Sequence, residues 1–90
     1  MGIRYQPRWK EMLDGFIDGH QFTIEMTMGI EHVYFPTEEI WDRTAPKWAC
    51  GIWEQARNEA SIWCLINSIP FDVDHAAWVE FSPTDLEQGG

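Results

Sequence analysis

A strict alternation of apolar and polar residues over positions 22–28, FTIEMTM, constrains the fold of this chain more than any other feature. A period of two places every second side chain on one face of a β-strand, so the segment is predicted to be a strand with one buried face. If Gly29 and Ile30 form a two-residue hairpin loop, Met26 pairs with Val33 in the returning strand. The same register pairs Met28 with Glu31 and Ile24 with Phe35, and places His32 and Tyr34 on the polar face with Thr27 and Glu25. A slip by one residue would reverse the faces of the returning strand, so the register is well specified.

The segment before this hairpin has the spacing of a helix. Over residues 8–18, apolar side chains recur at i, i+3, i+4, i+7 and i+8: Trp9, Met12, Leu13, Phe16 and Ile17. Pro7 suits the first turn of a helix, and Gly19 suits a left-handed C-terminal cap. Gly15 weakens a helix interior, so an end near Asp14 is the alternative. The sequence therefore predicts an N-terminal helix.

Two further helices are predicted after the hairpin. Pro36 ends the second strand, and Thr37 is expected to cap a short helical turn through Trp41 or Asp42. An apolar pattern of helical period then predicts a longer helix over about 46–67. Its last third, IWCLI, is apolar all round, so this end must be buried or the segment is a strand instead.

The C-terminal part favours one more strand. Ile69-Pro70 breaks the long helix, and the alternation that follows predicts a third strand near Ala77 to Phe81, as an antiparallel neighbour of the hairpin. Residues 82–85 are expected to cap a final turn, and the chain ends, about 1–6 and 86–90, are expected to fray.

The predicted fold class is α+β. Its order is an N-terminal helix, an antiparallel β-hairpin, a longer helix and a C-terminal strand that completes a small antiparallel sheet, with the helices on one face. Ninety residues are enough for about one hydrophobic core, so the chain is predicted to be a single acidic domain over residues 1–90.

The charge of the chain is strongly negative and unevenly distributed. Fifteen carboxylates stand against six lysines and arginines, a formal net charge of −9 at pH 7. Between Lys10 and Arg43, and again after Arg57, there is no lysine or arginine, so few internal ion pairs can neutralise these stretches. Such a surface attracts basic partners and repels phosphate backbones and anionic lipids. We expect a basic protein surface as partner, with no direct binding of nucleic acid or membrane; a merely solvated acidic surface is the alternative.

The aromatic content adds to this hypothesis, because the chain has six tryptophans. Trp9, Trp53 and Trp63 lie on predicted core stripes, whereas Trp41, Trp48 and Trp78 do not. Exposed tryptophan is enriched at binding hot spots, and aromatic faces and carboxylates both bind guanidinium groups. The candidate partner-binding residues are Glu25, Glu31, Tyr34, Glu38, Glu39, Trp41, Asp42, Trp48, Asp72, Asp74 and Trp78.

No catalytic or metal-binding motif is present in the sequence. It has no Gly-rich phosphate loop, no G-x-S-x-G, no H-E-x-x-H and no paired C-x-x-C. On one continuous helix Cys50 and Cys64 would stand ~21 Å apart, which excludes a disulfide and a shared metal unless the helix is broken. Cys64 lies in an apolar run that should raise the pKa of its thiol, and His20, His32 and His75 lack ligand spacing. We therefore expect no enzyme activity, no cofactor and no metal.

The C-terminal segment WVEFSPTDLEQGG offers an alternative. It resembles in outline the end of ubiquitin-like sulfur carriers such as the small subunit of molybdopterin synthase, which have about this length and end in Gly-Gly after a strand and a proline. The resemblance implies that Gly90 forms an ATP-dependent adduct. Two features depart from that family: a predicted helix precedes the hairpin, and Asp85 and Glu87 lie in the tail.

The sequence thus predicts a small acidic interaction module without enzyme activity. By analogy of charge and size, we expect an inhibitor or nucleic-acid mimic, such as a phage anti-defence or anti-CRISPR-like protein, that occupies a basic site on a partner. A nucleic-acid-binding protein is one candidate partner. The alternatives are the sulfur carrier and an acidic structural or solubility domain. The longest apolar run is short and the N-terminal MGIRYQPRWKEM lacks a signal-peptide core, so a cytoplasmic location is expected.

Overall fold

The structure, a computed structural model, describes residues 2–8, 11–27 and 29–82. These residues form one mixed sheet of six strands with two α-helices and a 3₁₀-helix. The strands are β1 (Arg4–Arg8), β2 (Met12–Ile17), β3 (His20–Thr27), β4 (His32–Pro36), β5 (Phe71–Asp74) and β6 (Val79–Phe81); the helices are α1 (Glu38–Thr44) and α2 (Trp53–Ile66), with the 3₁₀-helix Lys47–Ala49 between them. The predicted order of elements is wrong, because strands come first and the sheet is mixed.

The sheet is built around β3. Strands β1 to β4 are consecutive antiparallel neighbours, and β5 lies parallel to β4 at the end of this path. β2 pairs with one edge of β3. On the other edge β4 pairs with Glu25, Met26 and Thr27, and β6 pairs with Phe22, Thr23 and Ile24. β1 and β5 therefore lie at the two ends of the five-strand path.

The predicted N-terminal helix is wrong, because its residues form the β1–β2 hairpin. Leu13, Gly15 and Ile17 are buried on the face that carries the core. A Cβ atom on Gly15 would lie only 2.4 Å from Cζ of Phe22, so the glycine allows this ring to pack on the strand. Tertiary packing of this kind overrides a local helical spacing. Trp9 lies outside the described residues.

The β2–β3 turn lies where the sequence analysis predicts the end of a helix. Asp18 and Gly19 both have positive φ, 50° and 81°, as both central residues of a type I′ turn require. Asp-Gly between two apolar runs is a strong hairpin signal. Gly19 therefore closes a hairpin and does not cap a helix.

The predicted β3–β4 hairpin is confirmed, with Met26 paired to Val33 in the expected register. The expected pairing of Ile24 with Phe35 is replaced by pairing of Ile24 with Val79, because β4 leaves β3 there and β6 takes its place. The third strand is thus confirmed as an antiparallel neighbour of the hairpin. Met28 lies outside the described residues, so its pairing with Glu31 does too.

The helical predictions after the hairpin are partly confirmed. Thr37 caps α1 through a bond from the Ile40 N–H to its Oγ1 (3.4 Å), and α1 continues to Thr44. The single helix over 46–67 is wrong, since Gly51 has a φ of 87° and separates the 3₁₀-helix from α2. The segment IWCLI is helical, so the strand alternative is wrong.

Both helices pack on one side of the sheet, here called the inner face. The indole of Trp41 is completely buried there among aromatic rings, and its Nε1–H donates to the carbonyl of Ala49 at 3.0 Å. The Trp53 indole donates to the carbonyl of Pro36, and the Tyr5 hydroxyl donates to the carbonyl of Ala56, at 2.9 and 2.7 Å. The last two bonds join α2 to β4 and to β1, and so to both halves of the sheet. No described helix covers the opposite, outer face.

Of the residues 1–6 that are expected to fray, Arg4 to Gln6 belong to β1. The predicted final turn from Pro83 onward and the C-terminal tail lie outside the described residues.

Candidate partner-binding surface

The outer face of the sheet brings four of the predicted site residues together. Glu25 pairs with Tyr34 across β3 and β4, and Tyr34 pairs with Asp72 across β4 and β5. Asp74, two residues further along β5, joins Glu25 and Tyr34 in lining an open cavity of about 380 Å³. We call the set Glu25, Tyr34, Asp72 and Asp74 the acidic sheet face. It arises because paired residues on adjacent strands project to the same side of a sheet.

Local contacts orient this surface. Nε2 of His32 lies 2.7 Å from Oδ2 of Asp72, and the His32 ring stacks on Tyr34 with centroids 4.3 Å apart. Oδ1 of Asp74 accepts the N–H of Ala76 at 2.9 Å. Among the described residues, no hydrogen bond or ion pair reaches the carboxylate of Glu25. Glu25 and Asp74 therefore border the cavity as acceptors for a partner's donors.

Two other predicted residues lie near this surface in the chain. Trp78 is 37% exposed and follows Ala77, which lines the cavity. Glu31 is exposed in the turn that joins β3 to β4. Both extend the candidate surface along the β3–β4 hairpin and the β5–β6 connection.

The acids of α1 belong to a different surface. Glu38, Glu39 and Asp42 are exposed on α1, which packs on the inner face. Oε2 of Glu39 also lies 3.6 Å from a guanidinium nitrogen of Arg43. The predicted acidic residues are therefore divided between the two sides of the sheet.

The expectation that Trp41 is exposed is wrong. Its ring centroid lies 5.1 Å from that of Phe22 and 4.9 Å from that of Phe81, and the side chain is 0% exposed. Thr37 starts α1 directly after β4, so the helix turns this indole onto the inner face of the sheet. Trp41 therefore cannot contact a partner.

Trp48 is half-buried at the rim of the core. Its indole stacks on His20 with centroids 4.5 Å apart and meets Phe81 edge-on. Its Nε1 has no hydrogen-bond partner among the described residues. Trp48 therefore lies on the inner side and is not part of the acidic sheet face.

The β1 side of the outer face carries a polar network that the sequence analysis missed. Asp14 is 6% exposed, and its Oδ1 accepts from Arg8 at 3.0 Å and from the Thr23 hydroxyl at 2.7 Å. This carboxylate is neutralised internally. Within the described residues, the only other arginine–carboxylate ion pair is Arg43–Glu39, so most acids of the described chain face no lysine or arginine.

A second missed feature is the exposed apolar side of α2. Ile62, Leu65 and Ile66 are 56%, 79% and 76% exposed. The expectation that the apolar end of this helix must be buried is therefore wrong. The signal was present, since IWCLI has more apolar residues than one helix face can bury.

The two cysteines lie in different environments. Burial raises the pKa of the Cys64 thiol to about 11, as its apolar surroundings predict, so little thiolate forms near neutral pH. Cys50 is exposed, and both thiols are free. Burial, followed by the nearby Glu59 and Cys64, also raises the pKa of Tyr5 well above its usual value. Within the described ranges no three His, Cys, Asp or Glu side chains are grouped as metal ligands.

In the part of the chain that the structure describes, every helix is too short or too polar to cross a membrane. Comparisons with protein-family models, with curated proteins and with solved structures give no match. Any functional conclusion therefore depends on the chemistry of the surface itself.

Proposed function

We propose that this protein binds a basic surface of another protein through its acidic sheet face and catalyses no reaction. The observation that carries the proposal is the clustering of Glu25, Tyr34, Asp72 and Asp74 on one open side of the sheet, where Glu25, Tyr34 and Asp74 line a cavity of about 380 Å³. A cavity of this size accepts one long side chain such as arginine.

Electrostatics favours a cationic partner. A net charge of −9 produces a long-range field that accelerates encounter with basic proteins, within a Debye length of about 8 Å at physiological salt. At short range, carboxylates bind guanidinium groups through charge-assisted hydrogen bonds, and an aromatic ring offers them a face. Glu25, Tyr34 and Asp74 supply both kinds of contact around one cavity.

The proposal extends to an inhibitor of the nucleic-acid-mimic type, acting in the cytoplasm against a nucleic-acid-binding protein. Its support is the charge and small size of the domain, by analogy with anti-defence proteins. The alternative of a sulfur carrier depends on Gly89 and Gly90, which lie outside the described residues. The N-terminal β-hairpin removes one of the two departures from that family, but hairpins occur in many folds and this one does not by itself favour a sulfur carrier.

The test is capture of partners from a host lysate at low and at high salt, followed by association kinetics with the captured protein. The double variant Glu25→Gln/Asp74→Asn removes two charges from the acidic sheet face. Glu38→Gln/Glu39→Gln removes the same charge from α1 and is the matched control. We expect about ten-fold weaker binding for the first variant and little change for the second.

Equal losses for both double variants would mean that only net charge matters, and the acidic sheet face would be the wrong surface. Recovery of no protein at low salt would favour an acidic solubility domain. An ATP-dependent adduct that is lost on deletion of Gly90 would favour the sulfur carrier instead.

A further inference from the structure

The end of the sheet at β5 is open and has an exposed apolar helix beside it. Among the described residues, β5 pairs only with β4, so its other edge has no strand bonded to it. On the helix side, Arg57, Asn58 and Ser61 of α2 and Phe71, Asp72 and Val73 of β5 line a groove of about 290 Å³.

The apolar side chains of α2 continue this groove. Ile62 lies one turn beyond Asn58, and Leu65 lies one turn beyond Ser61, so both lie on the same helix face as the groove-lining residues. They are 56% and 79% exposed, and Val73 of β5 is 42% exposed. Surface apolar residues that occur singly need no explanation, but a contiguous exposed set at a sheet edge is typical of an interaction site.

The two sides of β5 differ in chemistry. Phe71 and Val73 pair with Val33 and Phe35, so they project to the inner face, whereas Asp72 and Asp74 project to the outer face. A strand added to this edge would alternate in the same way. Its inward side chains would face Val73 and the exposed side of α2, and its outward side chains would face the two carboxylates.

Charge selects against a second copy as the occupant. Antiparallel pairing of β5 with β5 of another copy, with matched faces, must oppose Asp72 or Asp74 to Asp72 or Asp74, and like charges directly opposite are destabilising. The net charge of −9 adds repulsion between copies. A strand with basic residues at alternate positions would instead be attracted, both by the two aspartates directly opposite it and by the net negative charge.

We propose that the edge of β5 and the α2 groove bind an extended segment of the partner protein in which basic and apolar residues alternate. Main-chain bonds to β5 would supply affinity, and the two faces would supply specificity, as in β-strand addition to other sheets. This inference rests on the proposed function, because it names how the basic partner binds. Its tests use the exposed apolar residues, which the proposed function does not need.

The experiment uses the full chain and a labelled, end-blocked peptide of alternating lysine and valine. A control peptide has the same composition, with all lysines before all valines. Binding is measured by fluorescence anisotropy, and the site is located from the amide NMR shifts of residues 71–74. We expect the alternating peptide to bind at least about ten-fold more tightly than the control peptide.

Two variants distinguish specific binding at the groove from nonspecific binding to exposed apolar side chains. Leu65→Ser removes an exposed apolar side chain from the face of α2 that continues the groove, and should weaken binding of the alternating peptide by roughly ten-fold. Ile30→Ser removes one that is 89% exposed in the β3–β4 turn, and should leave binding unchanged. Both residues are exposed, so neither change should alter folding.

Three outcomes would overturn the inference. Equal, salt-sensitive binding of both peptides without an effect of Leu65→Ser would leave the proposed function standing and exclude strand addition. Binding of neither peptide would exclude it as well, while the capture experiment still decides the proposed function. A concentration-dependent dimer in sedimentation that Leu65→Ser abolishes would assign the edge to a second copy of this chain.

Discussion

The two ends of the sheet differ although both are edge strands of one core. At β1, Pro7 has no N–H to offer, and the N–H of Ile3, directly before the strand, is bound by Oε1 of Glu59 at 2.6 Å. The Tyr5 hydroxyl joins the same strand to α2. At the other end of the sheet, β5 itself contains the exposed Val73, and the exposed apolar side of α2 lies beside it. Polar contacts from α2 thus protect the edge at β1, whereas the same helix leaves exposed apolar side chains beside the edge at β5.

This difference indicates that the β1 end of the sheet is structural, whereas the β5 end is available for binding. Edge strands are a hazard, and proteins protect them with proline, charges or a covering element. β1 has proline and a helix contact, whereas β5 has only its short length and two aspartates. The aspartates prevent self-pairing without preventing pairing with a basic strand. The comparison therefore predicts that changes on the β1 side affect stability and that changes on the β5 side affect binding.

The largest effect is expected from Gly15→Ala, which tests how tightly the β1 side is packed. The new Cβ would lie 2.4 to 2.9 Å from three ring carbons of Phe22, which is fully buried, so the ring or the strand must shift. We expect the free energy of unfolding to fall by about 3 kcal/mol, measured by urea denaturation. Gly29→Ala is the matched control, since nothing lies within 4 Å of a Cβ at that position. Similar losses for the two variants would show that the β1 side is no more tightly packed than an exposed turn.

A smaller effect is expected from the titration of Cys64, on the buried side of α2. Burial raises the pKa of this thiol from 9.0 to about 11, so the folded protein holds its proton to higher pH than the unfolded chain. Folding stability from this group is therefore complete below pH 9 and is lost as the pH rises toward 11. At pH 11 the loss is about 2 kcal/mol.

Cys64→Ala should flatten the fall in stability between pH 9 and 11, measured as unfolding free energy against pH. Cys50→Ala, which removes the exposed thiol, is the comparison variant. An unchanged slope in the Cys64 variant would assign the alkaline loss to Tyr5, whose pKa burial also raises.

The sequence predicted those elements whose local pattern agrees with their packing. The alternation over 22–28 specified the β3–β4 register, and Thr37 specified the start of α1, because each signal depends on residues close in the chain. The N-terminal hairpin was not predicted, because Met12, Leu13, Phe16 and Ile17 happen to have helical spacing. The contact between Gly15 and Phe22, which favours the strand, joins two strands and has no local signal.

The site was predictable to the extent that it follows from register. Pairing of Glu25 with Tyr34 followed from the hairpin, whereas the arrival of Asp72 and Asp74 beside them required the parallel strand β5, which joins through a long connection. The burial of Trp41 and the exposure of Leu65 share one cause: a small sheet buries only one face of each helix. The period of the apolar residues alone does not tell which of two apolar faces of a helix is buried against the sheet.

The smallest energetic effect, and the most direct test of the comparison, is expected from opening β1. Pro7→Val restores an N–H to the strand, and Glu59→Ala frees the N–H of Ile3. We expect the double variant to lose no more than about 1 kcal/mol of stability and to self-associate at high concentration, measured by sedimentation velocity. Arg4 and Arg8 lie on the outer face of β1, so the opened strand carries the charges that complement Asp72 and Asp74 of β5 in another copy.

Gln6→Val is the control for this variant, because it adds an apolar side chain to the same strand without adding a donor. It should remain monomeric. If the association joins β1 to β5, Leu65→Ser in the opened variant should weaken it, and the alternating peptide should compete with it. Association that neither change reduces would mean that the opened β1 edges of two copies pair with each other. The charge complementarity between β1 and β5 would then not contribute to the association.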